Sequence, residues 1–177
     1  YNYTLISTGN QNYTGASVTH FVEINKTLSQ CFMTFNPVTP IAYGTQVNVS
    51  CGCTNMELSP NLWRNGTNVD SEDDTFVTLG AGDYDYVCNV SATANYTGAT
   101  NSSVYTVTPI APALTLTGLP TWTQNFGTTT NVTCVANTSQ ISPILYRNGT
   151  NVGLSDVTML GAGFYNYTCD SVATQNY

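Results

Sequence analysis

Charge is what this chain most lacks. Only 7% of its 177 residues are charged, against about 25% in an ordinary soluble domain. Lys26 is the only lysine, Arg64 and Arg147 are the only arginines, and ten acidic residues bring the net charge to −7. A chain so poor in cations cannot neutralise phosphates, which excludes nucleic acid and anionic membrane surfaces as partners. His20 is the single histidine. No Ser–His–Asp or Cys–His set can be built around it, so no catalytic residue is expected and His20 reads as an ordinary strand residue. No apolar run approaches the ~18 residues of a membrane span, and no amphipathic helical run is present.

What is present is repetition. NVSC, LWRNGTNV, TLGAG and YDYVC, between residues 48 and 88, return as NVTC, LYRNGTNV, MLGAG and YNYTC between 131 and 169. Cys134 lies 83 residues after Cys51, and Cys169 lies 81 after Cys88. A unit of this size repeated in series is a small domain used as a brick. The phase is offset from the ends. Residues 1–13 match 165–177, and TGAS at 14–17 matches TGAT at 97–100. Residues 1–25 are therefore expected to be a partial repeat, 26–110 a first domain, and 111–177 a second domain without the last strand that 97–109 supplies to the first. The spare copy of that strand is Thr14–Ile24, with Thr14, Val18, His20, Val22 and Ile24 as candidate inter-subunit residues. Either the chain is a window on a longer array, or each copy lends this strand to its neighbour. Residues 1–13 would then serve as a connector or an added edge strand.

Thr, Asn, Val and Tyr in alternating patterns predict an all-β fold. In the first copy the expected strands are 27–35, 45–53, 61–65, 67–70, 75–79, 83–93 and 98–108. Asn65-Gly66 and Asn148-Gly149 are hairpin turns, because both residues tolerate positive φ. Asn-x-Ser/Thr sequons start at Asn2, Asn12, Asn25, Asn48, Asn65, Asn89, Asn95, Asn101, Asn131, Asn137, Asn148 and Asn166. In NVSC, Val47, Val49 and Cys51 share one strand face and Asn48 takes the other. Asn131, Asn89 and Asn166 follow the same alternation beside their cysteines. Most of the sequons are expected to carry sugar, which would also keep so uncharged a surface soluble.

Cys51, Trp63, Tyr86 and Cys88 in one copy, and Cys134, Tyr146, Tyr167 and Cys169 in the other, resemble the pattern of immunoglobulin-like domains. The resemblance covers roughly residues 27–177. It implies tandem Ig-like β-sandwiches with Greek-key connections. It also implies an inter-sheet disulfide in each, an aromatic at 63 or 146 packed on that disulfide, and a tyrosine corner at 86 or 167. Tyr146 departs from the usual tryptophan. Six cysteines allow 15 pairings. The repeat alignment selects Cys51–Cys88 and Cys134–Cys169, and leaves Cys31 with Cys53, although Cys53–Cys88 is an open alternative. A metal site at Cys51-Gly52-Cys53 has no matching second motif. Disulfides imply an oxidising, extracellular compartment.

Asp70-Ser-Glu-Asp-Asp74 could offer oxygen ligands to calcium, but lacks the spacing of a dedicated loop and reads as a solvated turn. Tyr13, Tyr96 and Tyr177 recur at the repeat period, which suits packing at domain junctions. The chain looks like the repeated Ig-like modules of microbial, in particular archaeal, extracellular surface or fibril proteins. The expected function is a structural subunit of an extracellular, heavily N-glycosylated filament or stalk, with other copies of itself as partner. The alternative is an adhesin or receptor-type binding module for cell-surface glycans or proteins. No cofactor is expected beyond covalent N-linked glycans.

Overall fold

The parity of strand residues decides what is buried. On β5 (Gln46–Cys53), Val47, Val49 and Cys51 are buried while Asn48 and Ser50 are half-exposed. The computed structural model describes residues 1–177, and is all-β apart from one 3₁₀ turn at Asp70–Glu72. In the first unit β5 is flanked by β3 (Cys31–Asn36) and β8 (Phe76–Thr78) in an antiparallel sheet of order β3-β5-β8. A second sheet runs β4-β10-β9-β6-β7, from β4 (Ile41–Ala42), β6 (Asn61–Arg64), β7 (Thr67–Asn68), β9 (Gly82–Val90) and β10 (Ala99–Thr108). All its pairs are antiparallel except β4 with β10.

The two sheets share one core of 11 buried residues, as in a β-sandwich. Val47, Val49 and Cys51 come from one sheet, and Leu62, Tyr86, Cys88, Tyr105 and Val107 from the other. Phe35 on β3 stacks on Tyr105 at 4.9 Å between ring centres and meets Tyr86 edge-on at 5.6 Å. Each fully buried large apolar side chain here contributes about 1.5–3 kcal/mol, and each aromatic pair about 0.5–1.5 kcal/mol beyond that.

The second unit repeats both sheets in reduced form. β11 (Leu114–Leu119), β12 (Thr129–Ala136) and β15 (Ser155–Met159) form one. β14 (Thr150–Gly153), β13 (Pro143–Arg147) and β16 (Tyr167–Ser171) form the other. Nothing in it corresponds to β4 or β10, and its central core is Val132, Cys134 and Leu145. At the N-terminus, β1 (Asn2–Ser7) and β2 (Ala16–Phe21) make a separate hairpin in which every residue is exposed.

Several expectations are corrected. The first strand starts at Cys31, because residues 27–30 make only a bridge from Thr27 to Tyr96. The strand expected over 67–70 stops at Asn68 and turns into the 3₁₀ turn. β4 is too short for any period to reveal. The largest correction concerns Trp63. Leu62 pairs with Cys88, and both are buried. Trp63 pairs with Val87, so it lies on the opposite, outer face and does not pack on the disulfide. Leu145 likewise pairs with Cys169, and Tyr146 with Thr168. The tyrosine corner also moves. Tyr84, not Tyr86, donates its hydroxyl to a backbone carbonyl four residues back, Gly80, at 2.9 Å, and Tyr165 does the same to Gly161 at 3.1 Å.

Candidate functional site

The three disulfides are Cys31–Cys53, Cys51–Cys88 and Cys134–Cys169. Cys51–Cys88 and Cys134–Cys169 tie the two sheets of each unit, whereas Cys31–Cys53 staples paired residues of neighbouring strands β3 and β5. The sulfurs of Cys53 and Cys88 are 4.0 Å apart. Cys31, Cys53 and Cys88 thus converge as metal ligands do, but each is held in a disulfide.

Both arginines perform the same internal task. Arg64 forms an ion pair with Glu72 and reaches the Tyr86 hydroxyl at 3.5 Å. Arg147 binds Asp156 at 2.7 Å, and Tyr167 donates its hydroxyl to the same carboxylate at 2.6 Å. Burial alone would lower the Arg64 guanidinium, but Tyr86 and Glu72 outweigh it and push it up. The acidic run is equally committed. Asp70 accepts from the Leu62 N–H at 2.6 Å and Asp73 from the Cys51 N–H at 2.8 Å, so these carboxylates fasten the loop instead of merely facing solvent.

The unsatisfied feature is a groove in the second unit. It has a volume of about 320 Å³ and is walled by Gly118, Trp122, Phe126, Val132, Phe164 and Tyr167, among others. Its origin is visible from the first unit. There β10 pairs along the whole length of β9, from Ala99–Val90 to Val107–Gly82, and buries Tyr105 and Val107. In the second unit the residues matching the first part of β9, Gly163–Asn166, have no such partner and form no strand; Phe164 is fully exposed. Gln124–Asn125, which match β4, are also outside any strand. Gly118 stands where Phe35 stands in the first unit, and the Trp122 ring takes the space. A Cβ at Gly118 would fall 3.0 Å from it.

The N-terminal hairpin supplies the matching shape. β1 pairs with β2 from Ser7–Ala16 to Asn2–Phe21. At the repeat offsets these pairs correspond to Val90–Ala99 and Asp85–Val104 in the β9–β10 ladder. The hairpin therefore has the register of β9–β10 without the rest of a unit around it. Of the candidate strand residues, Val18, His20, Val22 and Ile24 are all exposed, with His20 opposite Tyr3. Thr14 precedes β2, and Val22 and Ile24 follow it. Val22 and Ile24 hold the positions of Tyr105 and Val107, the two buried residues of β10. Residues 1–7 are thus paired to the candidate donor strand itself, along the edge that it would present to an acceptor.

Among the sequons, Asn2, Asn12, Asn25, Asn65, Asn95, Asn137, Asn148 and Asn166 are exposed, and Asn48, Asn89, Asn101 and Asn131 are half-buried. Asn65 and Asn148 sit at positive φ in their Asn-Gly turns and accept from the Asp85 and Asn166 N–H groups through Oδ1. Their Nδ2 atoms, where a sugar attaches, have no such engagement. Asn101 donates Nδ2 to the Cys31 carbonyl at 3.2 Å, and Asn95 donates it to Glu57 at 2.5 Å. Asn131 has an Oδ1 shut off from solvent with no hydrogen-bond partner.

The last element is the junction between units, which sequence reasoning touched only through the recurring tyrosines. The Ala81 N–H donates to Asn176 Oδ1 at 2.8 Å, and Gln175 donates to the Ala81 carbonyl at 2.9 Å. Asn176 donates to Gln140, Gln140 donates to the Tyr43 hydroxyl, each at 2.7 Å, and Tyr177 meets Tyr43 edge-on at 5.6 Å. No helix is long and apolar enough to cross a membrane. Compared with models of known families and with curated proteins, the chain gives no match.

Proposed function

We propose that the chain is a structural subunit of an extracellular, N-glycosylated filament or stalk, built of tandem Ig-like sandwiches with Greek-key connections and joined end to end. The observation that carries this reading is the pairing of an open groove with a strand in the matching register. The second unit has a groove where β10 belongs, and the stretch that continues from β2 carries Val22 and Ile24 at the positions of Tyr105 and Val107. The strand that fills the groove comes from β2 of another copy or from a further unit of the same chain. In either case backbone hydrogen bonds along Gly163–Asn166 and burial of two apolar side chains drive the docking. In the strand-exchange form β2 leaves β1 for Tyr165–Thr168, whose sequence YNYT is that of residues 1–4. The exchange replaces the β1–β2 ladder by one that shares its YNYT stretch and has Cys169 and Asp170 in place of Leu5 and Ile6, and it adds the core contacts that the exposed hairpin lacks.

Three disulfides support an extracellular setting. The mechanics are passive: continuous ladders carry tension, disulfides resist unfolding, and sugars cover a surface with little charge. The loops that differ most between units are 52–61 and 70–75, and the adhesin reading loses ground at the second, where Asp70, Glu72 and Asp73 are held by internal contacts. Electron microscopy of native material tests the proposal. Filaments with an axial repeat of two sandwich lengths and protruding density are expected; dispersed two-unit rods would overturn it.

A further inference from the structure

The internal junction is a joint between two kinds of surface. The tail of the first unit offers Tyr43 and the Gly80–Ala81 turn. The head of the second offers Gln140 and the turn Thr174–Tyr177. The linker closes the joint, with the Ile110 N–H donating to the Asn176 carbonyl at 3.0 Å. Gly80 lets the Gln175 and Asn176 side chains pack closely there. A Cβ on it would come within 3.3 Å of both Gln175 and Asn176.

Each surface has an unoccupied copy. The head of the first unit is already set in junction form. The Thr27 N–H donates to the Asn95 carbonyl at 2.8 Å, as Ile110 does to Asn176, and Asn95 donates to Glu57, as Asn176 does to Gln140. Tyr96 follows Asn95 as Tyr177 follows Asn176. The tail of the second unit keeps the same turn. Tyr165 holds the Gly161 carbonyl as Tyr84 holds that of Gly80, with Ala162 beside it. Phe126 occupies the place of Tyr43 and is 77% exposed. The two free surfaces also differ from the internal pair in a matched way. Gln140 donates to the hydroxyl of Tyr43. Phe126 has no hydroxyl, and the residue in the place of Gln140 is Glu57, which has no proton to donate.

We infer that the tail of the second unit docks the head of the first unit of another copy, with Asn95 Oδ1 accepting from the Ala162 N–H and Tyr96 packing against Phe126. This rests on the end-to-end reading above and specifies its second contact. The donor strand ends at Ile24, and the linker Asn25–Thr27 leads from it directly into the head, as Pro109–Ile110 leads from β10 into the internal joint. Asn95 is also a sequon, and a sugar on its Nδ2 would stand inside the joint. Asn95 is therefore left bare in the assembled protein.

Two measurements test this. The first is a double variant, Tyr96→Cys with Phe126→Cys, oxidised mildly and run on a non-reducing gel. Tyr43→Cys with Tyr177→Cys is the reference, since those rings already meet within one molecule. A reducible ladder of covalent oligomers is expected, with each single variant stopping at dimers. Monomers alone, while the reference pair closes, would overturn the joint. Filaments without a ladder would discard the joint and keep strand exchange; neither filaments nor ladder would discard both. The second measurement needs no variant. Glycopeptide mass spectrometry of native filaments should find Asn95 unmodified, and a sugar on most copies of Asn95 would overturn the inference.

Discussion

The two units are built from one pattern, yet one has a core of 11 buried residues and the other a central core of three. Their sheets share a framework but differ at inward positions, with Gly118, Gln124 and Thr130 where the first unit has Phe35, Ile41 and Val47. Cys51–Cys88 and Cys134–Cys169 are equivalent, the Arg–carboxylate–Tyr cluster is present in both, and the Asn-Gly turns match. What separates them is β10. Its Tyr105 and Val107 close the first core, and its backbone turns Gly82–Asp85 into strand. Without it, Gly163–Asn166 lose their ladder partner, and the residues at the place of β4 lose theirs. The strand accounts for strand content on both of its edges, and the core shrinks beyond its two side chains because Gly118, Gln124 and Thr130 also stand in for Phe35, Ile41 and Val47. A sandwich this small cannot lose an element and keep a proportionate core, because each inward residue is buried only by its opposite number.

The largest expected effects come from moving this difference between units. Tyr105→Ala removes the stacking partner of Phe35 and a hydrogen bond to the Pro37 carbonyl. It should cost the first unit about 3–5 kcal/mol, read as a lowered midpoint of its transition in denaturant. Conversely, grafting a copy of Thr97–Thr108 directly after Tyr177, in phase with Tyr96, should raise the midpoint of the second unit. It should also protect the amides of 163–166 from hydrogen exchange. If the graft leaves those amides exchanging freely, β10 is not what the second unit lacks.

Much of this was legible in the sequence, because a repeat is a covalent fact. The offset copies of TGAT and YNYT mark Thr14–Ile24 as a second copy of the strand at 97–109 before any fold is known. The same alignment selects two disulfides and leaves Cys31 with Cys53, while the alternative Cys53–Cys88 is closed only by the structure, which pairs Cys51 with Cys88. What was not legible depends on register across turns. Counting from Cys51 cannot fix the parity of β6, since the intervening loop breaks the alternation. Only the pairing of Leu62 with Cys88 reveals that Trp63 faces outward. The Arg64–Glu72–Tyr86 cluster was missed because its carboxylate arrives from a loop that differs in length between the copies. The signal available was that the only two arginines of the chain hold the same repeat position. The junction was hidden for a related reason: Asn176 and Ala81 are neighbours only after both units have folded.

An intermediate effect is expected from the staple that one unit has and the other lacks. Cys31 pairs with Cys53 across β3 and β5, and the same register in the second unit places Leu114 opposite Ala136. Replacing Cys31 and Cys53 by alanine should destabilise the first unit by roughly 2–4 kcal/mol, the usual range for a lost disulfide. Installing Leu114→Cys with Ala136→Cys should stabilise the second by a smaller amount, because the new bridge closes a loop in a unit whose groove is still open. Denaturation with and without reductant measures both. If the new bridge forms and the second unit gains nothing, its weakness lies wholly in the absent strand and not in the β11–β12 ladder.

The smallest effect is a difference in alkaline tolerance. Burial pushes the phenols of Tyr86 and Tyr105 above their ordinary value of about 10. Tyr167 is raised by burial and then by the Asp156 carboxylate that accepts its proton. A raised folded value means that the fold favours the neutral phenol. That stability is fully present below about pH 10 and is lost as pH rises through the folded values. The first unit has two such groups in its core and the second has one at the edge of its groove, so the first unit should lose more stability per step of pH above 10. Phenolate absorbance followed through an alkaline titration should show late-ionising tyrosines that become normal on unfolding. Tyr105→Phe should remove one of them and flatten the alkaline slope of the first unit alone. An unchanged slope in that variant would mean that the late phenols lie elsewhere, and that the two cores respond alike to base.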